Sequence, residues 1–551
     1  MATDDEIKPG IEAQPDSTAE HHELGRDPNS KAHNDVVLKS KLDELGWWAT
    51  VKRFKKAVLI CNLISIAAAA DGYQYTMNGN IIANQGFINH LGFPDGDGKI
   101  VLNSNYTSLW GAMQSLGQLL GMVLLSPVSD RIGRKMTMYI LWLLLAVSIA
   151  IESTVHNWRD WSGAKLLVGI GVGALQSTLP IYVTEWSPAN IRGSMVLGYG
   201  FWNSIGKFFA PLFLTIIEDT KPLDYKIAIL TQWAFVGIML PIFLWLPETP
   251  AYYAARDQDE KGKATLRRVN GNVDGFDVEI EYAIIKNTVL EEQYRQRELG
   301  IQDQSFREML DSYVECFRGP NARRTLGAAL PACTQQLTGL AFLNVYASLF
   351  FKQSGFQDAF LITTILAVIA LVSAIVLILT TDKFGRRRVV FACSVVCTVA
   401  MLIIAGLAYA PKTTPLGNFL IFVACVWTFF SSGLGILGWA FVGEVSSQKL
   451  RARTAGLAAG ASVIFGLTFN TAVPKMLDTQ GANWGYKTGF LFFATGAVSC
   501  LLVFLYVPEP SLRNAAELDE MYEKGVPPWK MKKYDTDVQR LQKEEQDTGV
   551  V

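Results

Sequence analysis

The chain has 551 residues, of which half are hydrophobic and 18% charged, with a formal net charge of −1. Of its 99 charged side chains, 64 fall in three stretches, 1–56, 248–324 and 508–551, which leaves 35 in the other 374 residues. A soluble domain carries about 25% charge throughout, so this distribution excludes a soluble multidomain enzyme; it also gives nucleic acid no basic face, and it fits a chain that crosses a lipid bilayer repeatedly.

Residues 1–47 are polar, with few aromatics and no apolar run near Met1, so the sequence predicts no cleaved signal peptide and a disordered tail over 1–56. Lys52, Arg53, Lys55 and Lys56 then stand directly before the first apolar block. Twelve blocks of bilayer-spanning length follow, near 57–79, 107–127, 136–155, 164–184, 195–217, 227–246, 326–351, 359–380, 389–409, 417–443, 455–476 and 488–507. They divide into a six-span bundle over 57–247, a polar linker over 248–324, a second bundle over 325–508 and a tail over 509–551. Within the linker, the charge patterning of Asp277–Glu298 and Ser305–Glu315 predicts short interfacial helices.

Basic clusters follow spans two, four, eight and ten: Arg131, Arg134 and Lys135; Arg192; Lys383, Arg386, Arg387 and Arg388; Lys449, Arg451 and Arg453. By the positive-inside bias both termini and the linker face the cytoplasm. The one glycosylation acceptor, Asn105-Tyr-Thr, then falls on the outer side. Six of the seven cysteines lie in apolar segments and only Cys316 in a polar one, so no disulfide or metal framework is readable.

Three motifs recur at nearly one offset. Asp130-Arg-Ile-Gly-Arg-Lys returns as Asp382-Lys-Phe-Gly-Arg-Arg after 252 positions, Glu185 with Arg192 as Glu444 with Arg451 after 259, and Pro247-Glu248 as Pro508-Glu509 after 261. A single basic cluster between spans is most simply positive-inside charge; its colinear repetition points to duplication. The expected fold is an all-α membrane protein of twelve transmembrane helices in two pseudo-symmetric six-helix bundles, with a solute site between halves that rock against each other. Asp130, Arg134, Glu185, Arg192, Asp382, Arg386, Glu444 and Arg451 are candidate gating salt bridges at the cytoplasmic helix ends.

Polar groups inside the spans are costly and therefore informative. The Gln335 and Gln336 amides sit within span seven, where they face either a wet cavity or another helix. Asp71 in span one and Lys207 in span five lie at similar depth. They read equally as a neutralising ion pair, as a proton relay, or as a carboxylate beside an ammonium free to hold an acidic solute.

The chain resembles a sugar porter of the major facilitator superfamily. The resemblance rests on the paired Asp130–Lys135 and Asp382–Arg388 loops, Pro180-Ile-Tyr-Val-Thr-Glu185-Trp-Ser-Pro188 with Arg192-Gly193, Pro247-Glu-Thr-Pro250, and Gln335-Gln336-Leu-Thr-Gly339. Tyr313–Thr325, Tyr346–Gly355, Glu444–Arg451 and Trp484–Phe490 are similar to the fungal maltose and general α-glucoside permeases. The resemblance implies that Gln335 and Gln336 hydrogen-bond sugar hydroxyls and that Trp439 stacks on the ring. Four family positions differ: Gly200, Ala341, Ser462 and Gly435-Ile436 stand where it has polar residues or Gly-Pro. Asn203 and Asn344, displaced by about one helical turn, are candidate substitutes.

The family's proton-carrying aspartate on span one is Gln74 here and its span-four arginine is Lys165. Gln74 carries no proton, so Asp71, three residues earlier, is the candidate replacement, and Lys165, near the outer end of span four, is expected to snorkel. The implied function is a plasma-membrane carrier moving a maltose-like α-glucoside or hexose with a proton, by alternating access, as a monomer, without cofactor or covalent chemistry. The alternatives are a carrier of a polyhydroxy acid or fungal secondary metabolite, including an exporter, and a non-transporting sugar sensor; for a sensor the tail of about 40 residues after Glu509 is short.

Overall fold

The computed structural model describes residues 46–94, 98–298, 313–411, 413–446, 450–478, 482–509, 515–531, 534 and 536. In a bilayer every backbone amide must find its partner within the protein, and an apolar segment meets that demand alone only as a helix. Among the described residues, eleven helices are long and apolar enough to cross. They are span one (Lys55–Ile81), two (Ser104–Ile132), three (Arg134–Ser153), four (Trp158–Trp186), five (Ala189–Thr220), six (Tyr225–Trp245), eight (Ala359–Val376), nine (Arg386–Tyr409), ten (Thr414–Val442), eleven (Arg453–Leu477) and twelve (Gly485–Tyr506).

Span seven, expected as one apolar helix over 326–351, is broken. A helix over Gly319–Leu337 stops at Thr338, a π-helical turn occupies Ala341–Val345, and a second helix runs over Ala347–Gln353. Gly339 suits the break: its φ is 103°, a conformation that strains any residue with a side chain, and a Cβ there would crowd the tip of the Met401 side chain. The first helix also begins within the expected linker, at Gly319 rather than 325.

Packing follows small residues. Spans two and four press together where Gly117 meets Gly169, and spans one with five and seven with ten form the other main pairs. Tyr199, Val172 and Leu141 belong to the apolar core of the first half, whereas the larger core joins Tyr73 and Ile81 of span one to Phe342 and Phe350 of span seven.

Helices stand within both expected tails. Trp47–Arg53 is a helix inside the 1–56 segment, tied to the start of span five by Trp47 Nε1 donating to Ser194 Oγ at 3.2 Å. Ala515–Glu523 is a helix that buries Leu518 and Met521, with Tyr522 beneath the Arg324 guanidinium at 5.6 Å. In the linker, Val278–Glu298 is helical as expected, Asp259–Asn270 and Pro250–Ala254 are additional helices, and 305–312 lie outside the described residues.

Candidate functional site

Asp71 stands at the centre of the first half, 2% exposed. Its carboxylate accepts from Gln176 Nε2 of span four at 3.1 and 3.0 Å, Tyr199 Oη of span five at 2.7 Å and Asn203 Nδ2 at 2.9 Å. Gln118 of span two donates to Gln176 Oε1 at 2.7 Å, which aims the Gln176 amide. One carboxylate thereby ties together spans one, two, four and five. Sequence reading missed Gln176, Tyr199 and Gln118, although the two amides lie mid-span and carried the same signal as Gln335.

Lys207 does not pair directly with Asp71. The charges feel each other, but every donor to Asp71 among the described residues is neutral, and the Lys207 ammonium lies 5.6 Å over the Tyr75 ring. The side chain is half-buried. Asn203, expected to read solute, spends its amide on Asp71.

The second half contributes amides of unequal freedom. Gln335 Nε2 donates to the Ser431 carbonyl of span ten at 2.9 Å, and Gly435 packs on the same amide. Gln336 lies against Gly466 of span eleven and is partly exposed, and its side-chain amide shows no hydrogen bond among the described residues. Asn344 lies in the π turn with its Oδ1 buried and unpaired among the described residues. Trp439 is 48% exposed and stands one turn beyond Gly435, on the face of span ten that meets Gln335.

Contacts between the halves gather on the side where span one ends and span two begins, away from Lys55 and Tyr506. Ser108 Oγ donates to Thr471 O at 2.7 Å and Asn470 Nδ2 to Ser115 Oγ at 3.3 Å, joining spans two and eleven. Lys352 at the end of span seven donates to Ala83 O at 2.8 Å and lies 3.6 Å from Glu218, and Thr215 bonds Thr364 at 3.1 Å. These contacts hold the two halves together on that side.

On the opposite side Arg134 is the hub. Its guanidinium reaches Asp130 at 2.7 Å, Glu185 at 2.9 Å and the Ser129 carbonyl at 3.1 Å. Glu185 therefore pairs with Arg134 and not with Arg192, which is exposed. The reason is reach: Arg134 opens span three beside the end of span four, whereas Arg192 follows the Ala189–Ile191 turn and points outward. In the second half the Asp382, Glu444 and Arg451 side chains lie outside the described residues, while the Arg386 amide donates to Glu509 Oε1 at 3.1 Å.

Lys165 departs from expectation most. It is fully buried, paired with Glu152 of span three at 2.9 Å, and its ammonium lies 4.4 Å over Trp161. The span is long enough to bring the ammonium inside, so nothing snorkels. Gln74 donates to Gln232 of span six. Asn105 is exposed in the first turn of span two.

Residues 60–522 match the family model described as "Sugar (and other) transporter". The chain belongs to this transporter family. Curated relatives similar to this transporter include the MFS transporter fmqE of Aspergillus fumigatus, 27% identical over 91% of this chain and 93% of that one. The low-affinity glucose transporter HXT3 of Saccharomyces cerevisiae is 23% identical, covering 92% and 88%. Among solved structures, the xylose transporter XylE of E. coli in a partially occluded inward-open conformation superposes with a TM-score of 0.65 at 19% identity, covering 84% of this transporter and all of XylE. The fold is that of the major facilitator superfamily, and this transporter is a multi-pass membrane protein.

Proposed function

We propose that this transporter carries a sugar, a hexose or maltose-like α-glucoside, across the plasma membrane by alternating access, together with a proton. The observation that carries the reading is the unspent amide of Gln336 beside the break in span seven, partly exposed at bilayer depth. An uncharged donor and acceptor left open there suits a neutral polyol better than an ion. Gln335 and Asn344 flank it, and Trp439 offers an apolar face of the kind that stacks on a sugar ring. Glucose and xylose appear in the names of similar transporters, which supports the class.

In this reading the contacts between the halves close the outer entrance, both termini are cytoplasmic, and solute reaches the site from the cytoplasmic side in this state. Asp71 is the proton carrier, with Lys207 as its charged neighbour. A second reading has one specific observation in its favour: the Lys207 ammonium has no direct carboxylate partner among the described residues and lies over the Tyr75 ring, so a polyhydroxy acid would find a counter-charge.

Uptake of labelled glucose, maltose and quinate into transport-deficient yeast, with and without a protonophore, tests both. Uncoupler-sensitive sugar uptake that Gln336→Ala lowers supports the first reading. Quinate uptake alone, lost in Lys207→Met, replaces it with the second; no uptake of any of the three by surface-expressed protein sinks both.

A further inference from the structure

The buried pair of Glu152 and Lys165 takes no part in the Asp71 cluster or the span-seven amides, and both side chains are 0% exposed. Glu152 Oε1 accepts from Lys165 at 2.9 Å, and Oε2 accepts from Gln232 Nε2 at 2.9 Å. Gln232 Oε1 accepts in turn from Gln74 Nε2. The chain ends there, because Gln74 Oε1 is buried with no partner among the described residues. Beside it is a cavity of about 10 Å³ lined by Ala70, Tyr73, Gln74 and Gln232, about the room one water needs. Spans three, four, six and one are thus strung on one polar line, and Gln74 lies one turn from Asp71.

Holding two charges out of water costs more than an apolar pair of the same volume, so stability alone gives little reason for this arrangement. We propose that Glu152 is a second proton-binding site, one that reports to span one through Gln232 and Gln74. A proton from water binds Oε2, turning the carboxylate into a neutral acid whose O–H must donate. Gln232 then has to present its oxygen to Glu152 and its NH₂ to Gln74. Gln74 turns its oxygen to meet that NH₂, and the acceptor left orphaned in the ionised state gains its partner. Lys165 still donates to Oε1 and keeps its place over the Trp161 ring, where a desolvated cation–π contact is worth up to about 2 kcal/mol. The site has gained one positive charge, which favours release of the same proton on the other side once the helices have moved. Tyr73 on span one, bonded to Thr231 at 2.5 Å, is the titratable neighbour that feels the Glu152 charge.

The inference rests on the reading of this chain as a proton-linked carrier, and two readouts separate their failures. The first is pH-difference infrared spectroscopy of the purified full-length protein in detergent, which needs no solute. The wild type is expected to show a buried carboxylic-acid band that Glu152→Gln removes and Asp71→Asn leaves in place. The second, in liposomes with an imposed pH gradient, compares concentrative sugar uptake with sugar exchange, and Glu152→Gln is expected to lose the former far more than the latter. Glu152→Gln strands a buried ammonium and risks misfolding, so Glu152→Gln/Lys165→Met, which removes both charges, is run beside it with the same expectation. A band unchanged in both variants, or concentrative uptake with the wild-type pH profile, overturns the proposal. A normal band result with no sugar transport by the wild type sinks the carrier reading and leaves the proton site standing.

Discussion

Glu248, just past the end of span six, caps the start of span three: its Oε1 accepts the Arg134 backbone amide at 3.1 Å and its Oε2 the Lys135 amide at 3.0 Å. Gly133, with φ of 102°, lets the carboxylate approach where a Cβ would collide with it. Glu509 repeats the arrangement on the Arg386 amide at 3.1 Å, beside Gly385 with φ of 87°. A carboxylate at a helix N-terminus satisfies orphan amides and meets the positive end of the dipole.

Glu248→Ala is therefore expected to cost about 1–2 kcal/mol, read as a lowered midpoint in thermal unfolding of the solubilised protein. Burial, the largest influence, pushes the Glu248 carboxyl above its ordinary range. A carboxyl raised in the folded state contributes stability fully present below its unfolded value and lost as pH rises through its folded value. Glu248→Gln should flatten that segment of the stability profile; an unchanged profile contradicts the assignment.

Arg134 holds two acids and a carbonyl. Arg134→Met strands the largely buried Glu185 and should cost about 1–3 kcal/mol. Arg192→Met, at an exposed side chain, should stay within about 0.5 kcal/mol. A double-mutant cycle of Arg134→Met with Glu185→Gln checks the pairing, with a coupling of at least about 0.5 kcal/mol expected. If Arg192 couples to Glu185 instead, the assignment made from geometry is wrong.

Lys352 joins the halves through Ala83 and Glu218. Lys352→Met should loosen that junction. Ser348→Cys places a thiol at a position that is fully buried, facing the Asn80 carbonyl. Its labelling by an impermeant maleimide should rise when Lys352→Met is added. Equal labelling in both backgrounds means the lysine holds nothing shut.

Asn344 and Gln336 separate binding from folding. A buried acceptor without a partner stabilises nothing, so Asn344→Ala should leave thermal stability unchanged or slightly raised. Gln336→Ala should do likewise, since its amide makes no hydrogen bond among the described residues. Each lost solute hydrogen bond of about 0.5–1.5 kcal/mol should raise the sugar KM by roughly two- to twelvefold. Gln335→Ala differs, because it also frees the Ser431 carbonyl, so KM and stability should worsen together.

The linker responds to pH from both ends. Lys286, by its 2.6 Å hydrogen bond, holds the Asp259 carboxyl below its ordinary range, and Asp259 in turn raises the Lys286 ammonium. The aspartate's contribution is present above its unfolded value and lost as pH falls through its folded value. The lysine's is present below its unfolded value and lost as pH rises through its folded value. Amide-exchange protection in Val278–Glu298, with the intrinsic pH dependence of exchange divided out, should therefore be greatest between these limits and fall in acid; in Lys286→Met the acid limb should shrink, the Tyr282 hydrogen bond to Asp259 remaining.

Hydrophobic blocks made the spans legible, because a run of apolar residues of that length has one stable form in lipid. The Pro247-Glu248 repeat likewise became two caps in space. The break in span seven was hidden, since the residues around Thr338 and Gly339 keep the composition of a continuous helix, and the one local sign is a glycine whose φ of 103° appears only in the structure. Glu152 escaped notice for another reason: it is the penultimate residue of span three, where a charge reads as a water-facing end. Its meaning appears only when Lys165 is brought to it across the helix pair. The Glu185 to Arg192 pairing, suggested by closeness in sequence, lost to Arg134, whose fork lies on the nearer helix.

Each cap also has a consequence for how the chain is made. Glu248 lies at the end of the first six spans, and its partner on span three is inserted long before it. Once the ribosome has delivered Glu248 the first half holds every residue of its own clasp, while span eight and those after it are still untranslated. The second half closes on Glu509 in the same way, so each half carries its own latch and needs nothing from the other to fasten it.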